Sequence, residues 1–152
     1  MCLPASPAAA ADWSAEFYSP ISQKCLEIAD WSKDNGGRAQ QYTCTGGPNQ
    51  SWTLSPINGD YNVVTLRNHN SWKCLEVADW RKDNGAPVRQ WECTGGANQQ
   101  WYRWLYNGGY AFINVNSGQC LEVADWSTAN GAAVRQWTCG GGPQGNQMWY
   151  DW

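Results

Sequence analysis

Short apolar runs alternate with polar turns along the whole chain. The segments at 61–67 and 110–115 have strand length and are rich in β-branched and aromatic residues. Each is followed by a polar turn and then by a Cys-Leu-Glu-Val segment, which predicts a further strand. An Asn-Gly pair lies between that strand and the next one, which is predicted at 88–91 and at 134–137. Asn-Gly favours a tight turn because both residues tolerate positive φ. No segment shows helical periodicity.

The same pattern occurs three times. Cys-Leu-Glu-(Ile/Val)-Ala-Asp-Trp begins at Cys25, Cys74 and Cys120, and each copy continues through an Asn-Gly pair, a second cysteine and a Gln-x-Trp segment. We expect the Gln-x-Trp segments to be strands that end at Trp52, Trp101 and Trp149. About four short strands per repeat, three times over, predict an all-β protein with a β-trefoil fold, which leaves few free sheet edges. The expected repeats are about 17–61, 62–108 and 109–152.

Composition narrows the functional classes. The 152 residues correspond to one domain, and the net charge of −3 lacks the basic character of nucleic-acid-binding proteins. No stretch approaches the eighteen apolar residues of a membrane helix, so neither nucleic acid nor membrane insertion is expected. Twelve tryptophans and sixteen glycines are typical of a turn-rich β protein that presents flat rings to a ligand.

Six of the seven cysteines form pairs nineteen positions apart, one pair in each repeat. A zinc site is disfavoured because the spacing is long and His69 is the sole histidine. We therefore predict three disulfides, Cys25–Cys44, Cys74–Cys93 and Cys120–Cys139, although reduced buried thiols are an alternative. A disulfide that closes a loop of this length stabilises the folded state by about 3 kcal/mol. Disulfides indicate an oxidising compartment, so we expect a secreted, extracellular protein.

The first eleven residues differ from the rest. An alanine run before Asp12 resembles the cleavage end of a secretory signal. Residues 1–11 are therefore interpreted as the remnant of a leader, and residues 12–152 as the folded domain. Cys2 lies in this leader and has no predicted partner.

The repeat resembles the ricin B-chain-type lectins, and its form is similar to that of bacterial secreted members. The resemblance rests on Cys-Leu-Glu-Val, the Asn-Gly turn, an aromatic residue two before the second cysteine, and Asn-Gln-x-Trp, over about residues 17–152. In that family each lobe can hold a shallow sugar site built from an acidic residue, an aromatic platform and a loop asparagine. The resemblance places the acidic role on Glu27, Glu76 and Glu122, the platform on Tyr42, Trp91 and Trp137, and the amide on Asn49, Asn98 and Asn146.

The chain departs from the family pattern in three ways. It carries Glu where Asp is usual, and it adds an Asp-Trp pair three residues later. We expect these pairs to bind sugar hydroxyls and to form a second aromatic wall: Asp30 and Trp31, Asp79 and Trp80, Asp125 and Trp126. Repeat three has a two-residue insertion before Asn146, and repeat one has Gln40 and Tyr42 where the others have Arg and Trp. Repeat two is therefore the best single site.

Structural roles compete with these assignments. The tryptophans that we expect to end strands are typical of core positions, and Gln50, Gln99 and Gln147 are expected to be structural. The glutamates either contact ligand or stabilise a turn. The three added tryptophans either form a wall or cover lobe edges. Asn35, Asn84 and Asn130 are interpreted as turn residues.

Catalytic and metal-binding functions fit the sequence poorly. The Asn-Gly turns lack the ligand spacing of a calcium loop, and His69 occurs in one repeat only. Glu76 and Asp79 imitate a glycosidase pair, but three equivalent catalytic centres in one small domain would be unusual. We therefore expect no enzymatic activity, no cofactor and no metal.

Three functions remain. The first is a free-standing, monomeric lectin that binds glycans multivalently, with terminal galactose or rhamnose as ligand, and agglutinates cells. The second is a module that directs a glycoside hydrolase to xylan or galactan. The third is a trefoil that binds proteins.

Overall fold

The computed structural model describes Leu3 and residues 10–152. Eight of the eleven residues of the expected leader, Cys2 included, lie outside the described residues. The described chain holds thirteen short strands and six 3-10 turns. The strands are β1 (Trp13–Ala15), β2 (Phe17–Tyr18), β3 (Cys25–Ile28), β4 (Ala39–Tyr42), β5 (Trp52–Ile57), β6 (Asp60–Asn68), β7 (Cys74–Val77), β8 (Val88–Trp91), β9 (Trp101–Tyr106), β10 (Gly109–Asn114), β11 (Cys120–Val123), β12 (Val134–Trp137) and β13 (Tyr150–Asp151).

The fold is an all-β trefoil of three lobes, as the repeats predict. Each lobe carries one four-residue hairpin: β3–β4 in lobe one, β7–β8 in lobe two and β11–β12 in lobe three. The register is the same in all three, so that the first cysteine faces the platform aromatic and the glutamate faces the residue two before that aromatic. Longer hairpins, β5–β6 and β9–β10, join the lobes.

The interior is apolar and is built from equivalent residues of the three lobes. Trp52, Trp101 and Trp149 are fully buried at equivalent positions, together with Phe17, Phe112 and aliphatic side chains from all three lobes. Each indole Nε1–H donates to a leucine carbonyl of the same lobe, at 3.0–3.1 Å. These tryptophans are core residues that satisfy their only polar atom internally.

The Gln-x-Trp segments are not strands that end at tryptophan, which corrects the sequence expectation. β5 and β9 begin at Trp52 and Trp101, and Trp149 directly precedes β13. The residues before these tryptophans form 3-10 turns: Pro48–Gln50, Ala97–Gln99 and Gly145–Gln147. The turn brings the asparagine and glutamine amides back to the glutamate of the same lobe, and an extended segment would point alternate side chains to opposite faces instead.

The three predicted disulfides are confirmed. Each links the start of the first hairpin strand to the loop after the second strand, across nineteen positions. The Cα–Cα distances are 5.1 Å for Cys25–Cys44, 5.1 Å for Cys74–Cys93 and 5.4 Å for Cys120–Cys139, within the usual range. Every hairpin that carries a candidate site is therefore closed covalently.

Buried glutamines join each lobe to its neighbour. The Gln90 amide in β8 donates at 2.9 Å to the carbonyls of Ser32 and Asp34 in lobe one, and Gln41 and Gln136 repeat this contact at the other two interfaces. The turn asparagines also cross the interfaces, since the side chain of Asn35 accepts from the Glu92 amide. The Asn-Gly turns thus set the packing between lobes as well as the local turn.

Removing one interface glutamine should loosen one interface. We expect Gln136→Ala to lower the free energy of unfolding by about 2 kcal/mol, because two backbone carbonyls and the Ser117 hydroxyl lose a buried partner. Urea denaturation measures this. Gln100→Ala, which removes one exposed hydrogen bond, is the matched control and should change stability by about 0.5 kcal/mol at most. Equal effects of the two variants would contradict the interface role.

Candidate functional site

Each lobe has one shallow depression, and the three are built from equivalent residues. The volumes are about 320 Å³ in lobe one, 170 Å³ in lobe two and 470 Å³ in lobe three. Every depression is lined by the glutamate, the Asp-Trp pair, the platform aromatic and the loop asparagine of its lobe. The structure therefore brings all fifteen residues singled out in the sequence into three groups of five.

The glutamate forms the floor of the depression. Glu27, Glu76 and Glu122 are only 3–5% exposed, although each carries a carboxyl group. In lobe two, one oxygen of Glu76 accepts from the Gln99 amide at 3.0 Å, and the other accepts from Arg89 Nε at 3.0 Å. Burial of a carboxylate is costly unless its oxygens are paired, and here both are. The glutamate thus holds the site together.

The aspartate forms the rim. The side chains of Asp79 and Asp125 are 74% and 85% exposed, and each gives one oxygen to the arginine of its lobe, at 3.3 and 3.4 Å. Among the described residues, no hydrogen bond reaches the other oxygen of either aspartate. Of the two carboxylates, the aspartate is therefore the one with acceptor capacity at the surface.

The Asp-Trp pair has an unusual backbone. In each lobe both residues lie in the left-handed region, with φ of 53° to 58°. Aspartate tolerates this region, but a tryptophan there is a genuine outlier. Each such residue costs about 1–3 kcal/mol, and strain of this kind concentrates at binding sites. The strain recurs in all three lobes, so the conformation belongs to the repeat and places carboxylate and indole side by side at the depression.

The added tryptophan forms a half-exposed wall. Trp31, Trp80 and Trp126 are 52%, 54% and 49% exposed. In lobe two the indole lies against Gly96, where an added Cβ would be 2.7 Å from the ring, and Gly47 stands in the same relation to Trp31. Glycine is therefore required at this point for the close approach. In lobe three the equivalent residue is Gln144, and the depression is the largest of the three.

The platform aromatic lines the same depression as this wall. Tyr42 and Trp137 are 42% and 39% exposed, and Trp91 is half-buried. In lobes two and three an arginine from the same strand stacks on the platform ring, with the guanidinium carbon 4.5 Å from the Trp91 centroid and 4.6 Å from the Trp137 centroid. This cation–π contact fixes the guanidinium between the ring and the two carboxylates.

The loop asparagine is buried beneath the wall. Its Nδ2 donates to the glutamate and to a backbone carbonyl, at 3.3 and 3.2 Å for Asn98. Asn146 makes the same two contacts at 3.4 and 3.0 Å, so the insertion in repeat three does not displace it. The insertion is absorbed before the 3-10 turn, where the Gln144 backbone N–H donates to Gln147 Oε1 at 3.0 Å.

Sequence reasoning did not count Arg89 and Arg135 as site residues, although both line their depressions. A signal for them was present, because residues two apart on a strand share a face and each arginine stands two before its platform tryptophan. Thr45, Thr94 and Thr138 are further lining residues that sequence reasoning missed. No pattern in the repeat distinguishes these threonines from ordinary loop residues.

One turn beside lobe two carries an exposed ion pair. Both carboxylate oxygens of Asp83 accept from the Arg81 guanidinium, at 2.9 and 2.5 Å, and this hydrogen bonding lowers the pKa of Asp83. The same contact raises the pKa of Arg81. Lobes one and three have Ser32 and Ser127 in place of Arg81, so this pair is not part of the threefold pattern.

Comparison with known families decides the identity of the repeat. The sequence model of the ricin-type beta-trefoil lectin domain matches residues 14–149. The chain belongs to this family. A comparison with proteins of curated function found no match.

Solved structures agree with this assignment of a ricin-type domain. A designed threefold-symmetric protein, ThreeFoil, is 33% identical with a TM-score of 0.85, and the match covers 91% of this chain and 96% of that one. An exo-beta-1,3-galactanase from Clostridium thermocellum is 30% identical with a TM-score of 0.83, and the match covers 91% of this chain but only 29% of the enzyme. The agglutinin of Rhizoctonia solani, at 21% identity and a TM-score of 0.80, shares the fold over 98% of both chains.

Two further observations concern the residues that the structure describes. None of their helical segments is long and apolar enough to cross a membrane. Within the same part of the chain, no group of three or more His, Cys, Asp and Glu side chains is arranged to hold a metal ion.

Proposed function

We propose that this ricin-type domain is a lectin that binds one sugar in each of its three depressions and has no catalytic role. The observation that carries the proposal is the arrangement of the Asp-Trp pair. In every lobe a strained backbone sets an exposed carboxylate and a half-exposed indole in the same depression as a second aromatic ring. Strain of this kind concentrates at binding sites, which supports ligand binding by the pair.

The chemistry of the depression suits a pyranose. A sugar ring has an apolar face of C–H groups and a rim of hydroxyls. The platform ring and the wall cover the apolar faces, while the free oxygen of the aspartate accepts hydrogen bonds from hydroxyls. In this proposal the buried glutamate is a positioning residue that holds Arg89 and Asn98 in lobe two, and the aspartate is the main hydroxyl acceptor.

A shallow site of this type binds one sugar weakly, whereas several such sites that engage one surface together bind it strongly. A millimolar site corresponds to about −4 kcal/mol, and several sites that engage one surface raise the avidity by about 10² to 10⁴. We therefore propose that a monomer with three sites agglutinates glycan-bearing cells. The three disulfides support action in an oxidising, extracellular compartment, and the net charge of −3 argues against nucleic acid and anionic membranes as partners.

Terminal galactose and rhamnose are the proposed ligands. Galactose is the commonest ligand that the family resemblance implies. The half-exposed indoles of the Asp-Trp pairs provide an apolar wall that suits the methyl group of a deoxyhexose such as rhamnose.

The match to a galactanase supports a second candidate. The chain corresponds to 29% of that enzyme at 30% identity, so a domain of this kind is found beside a catalytic chain that acts on galactan. As the alternative, the domain would direct a glycoside hydrolase to its polysaccharide. Co-sedimentation with insoluble galactan and xylan separates the two candidates, because a lectin for terminal sugars binds short glycans equally well and a targeting module prefers the polymer.

A glycan array on the oxidised protein tests the proposal. We expect a narrow set of terminal-sugar hits, and we expect the triple variant Asp30→Asn, Asp79→Asn and Asp125→Asn to lose them while it remains folded. Asparagine is chosen because it also tolerates positive φ. An empty array with folded protein would overturn the lectin assignment and favour a trefoil that binds proteins. Hits that survive in the triple variant would place binding elsewhere on the surface.

A further inference from the structure

Lobe one differs from the other two at one pair of positions. β4 carries Gln40 and Tyr42 where β8 and β12 carry arginine and tryptophan at the same register. Gln40 still donates to the floor glutamate, with its Nε2 2.8 Å from Glu27 Oε2. The hydrogen bond to the floor is thus kept while the positive charge is lost.

The charge balance of lobe one therefore differs. In lobes two and three one guanidinium pairs with both the glutamate and the aspartate, at 3.0 Å and at 3.3–3.4 Å. Among the described residues Asp30 forms no ion pair, and no basic side chain lines its depression. Two carboxylates accordingly face one depression without a counter-charge, whereas the other two depressions each have a bound cationic group.

One acceptor in this depression is also unpaired. Gln40 lines the depression and is 4% exposed, and its buried Oε1 has no hydrogen-bond partner among the described residues. The oxygens of the loop asparagines, Asn49, Asn98 and Asn146, are unpaired in all three lobes, so Gln40 is what distinguishes lobe one. A buried carbonyl oxygen without a donor is unfavourable and is unusual in a folded protein. The depression lacks positive charge.

We propose that lobe one selects a sugar with a free amino group, a hexosamine in its ammonium form, whereas lobes two and three bind neutral sugars. The inference rests on the proposed sugar-binding function and deepens it for one site. An ammonium is a cation with three donors and no acceptor, which complements Asp30 in a depression that no basic side chain lines. The Tyr42 ring, which carries no stacked arginine, offers its face to the cation.

The chain supplies matched variants for the test. Gln40→Arg gives lobe one the residue of the other lobes, and Arg89→Gln with Arg135→Gln gives lobes two and three the residue of lobe one. The three lobes are resolved by NMR through the indole N–H signals of Trp31, Trp80 and Trp126. The probes are the methyl glycosides of galactosamine and glucosamine, each compared with its N-acetyl form, which has no charge.

We expect the amine to bind lobe one about three- to tenfold more tightly than its N-acetyl form, with the difference shrinking at high salt. Gln40→Arg should abolish the preference, and Arg89→Gln should create it in lobe two. Equal binding of both forms at Trp31, or a preference that survives Gln40→Arg, would overturn the inference.

Two further outcomes separate the inference from the proposed function. Neutral glycans that bind all three lobes while the amines show no preference would leave the lectin assignment intact and overturn the selectivity of lobe one. Absence of binding by any glycan would overturn both. Lysine amide carries an ammonium without a sugar ring, and equal binding of lysine amide in lobe one would also overturn the hexosamine as the ligand.

Discussion

Replacing Glu76 by alanine is expected to lower the free energy of unfolding by about 3 kcal/mol and to abolish binding in lobe two. The variant leaves the Gln99 and Asn98 amides and the Arg89 guanidinium without their shared carboxylate. Breaking a buried charge network by removing one member costs about 3–5 kcal/mol, and the partial exposure of Arg89 places the estimate at the lower end. Urea denaturation and sugar titration measure the two effects.

Asp79→Asn is the matched variant on the rim of the same depression. It removes the exposed carboxylate and keeps a residue that tolerates positive φ, so stability should change by about 0.5 kcal/mol at most. Binding in lobe two should still be lost. The contrast separates the residue that holds the site from the residue that contacts the ligand. Equal destabilisation by the two variants, or sugar binding that survives Asp79→Asn, would show that the two roles are assigned wrongly.

Reduction of the three disulfides is expected to unfold the protein at physiological temperature. A loop closed across nineteen positions contributes about 3 kcal/mol, and three such loops together reach the size of a typical domain stability of about 5–15 kcal/mol. The second cysteine of each pair is the one within reach of a reductant, because Cys93 is exposed and Cys44 and Cys139 are half-buried. Circular dichroism during heating, with and without dithiothreitol, measures the effect.

Variants of single lobes provide the control for reduction. Cys74→Ser together with Cys93→Ser removes one disulfide in lobe two and should lower the free energy of unfolding by about 3 kcal/mol. The other two lobes should still keep the chain folded at room temperature. A reduced protein with an unchanged melting temperature would contradict the stabilising role of the cross-links. Cys2→Ser is a suitable background, since it removes the seventh thiol from exchange.

Much of the fold followed from the sequence because the repeat constrains it. Three in-register copies of a cysteine pair, an Asn-Gly turn and a buried tryptophan give the β-trefoil and its disulfides, since each copy must adopt the same local structure. The depressions were also predictable as groups, because the Glu, Asp-Trp, aromatic and Asn positions of one copy fall within one lobe. Their functional roles remain predictions.

Other features depend on contacts that no local pattern shows. The 3-10 turns before Trp52, Trp101 and Trp149 form because buried amides must reach a glutamate more than twenty residues earlier. The left-handed conformation runs against the intrinsic preference of Trp31, although Asp30 tolerates it. Local propensity therefore predicts an ordinary loop at these positions, where tertiary contacts override it.

The measurement that tests the central claim most directly is the number of sugar sites per chain. Titration calorimetry with the best glycan from the array, on the oxidised protein and on Asp30→Asn, Asp79→Asn and Asp125→Asn singly, counts them. If lobe one binds the same glycan, we predict three sites in the parent and two in each variant. If lobe one prefers amines, a neutral glycan should fill lobe one about three- to tenfold more weakly than the amine does, and Asp30→Asn should remove that weak site. A single site per chain, or a count that none of the three variants changes, would contradict binding at the Asp-Trp depressions.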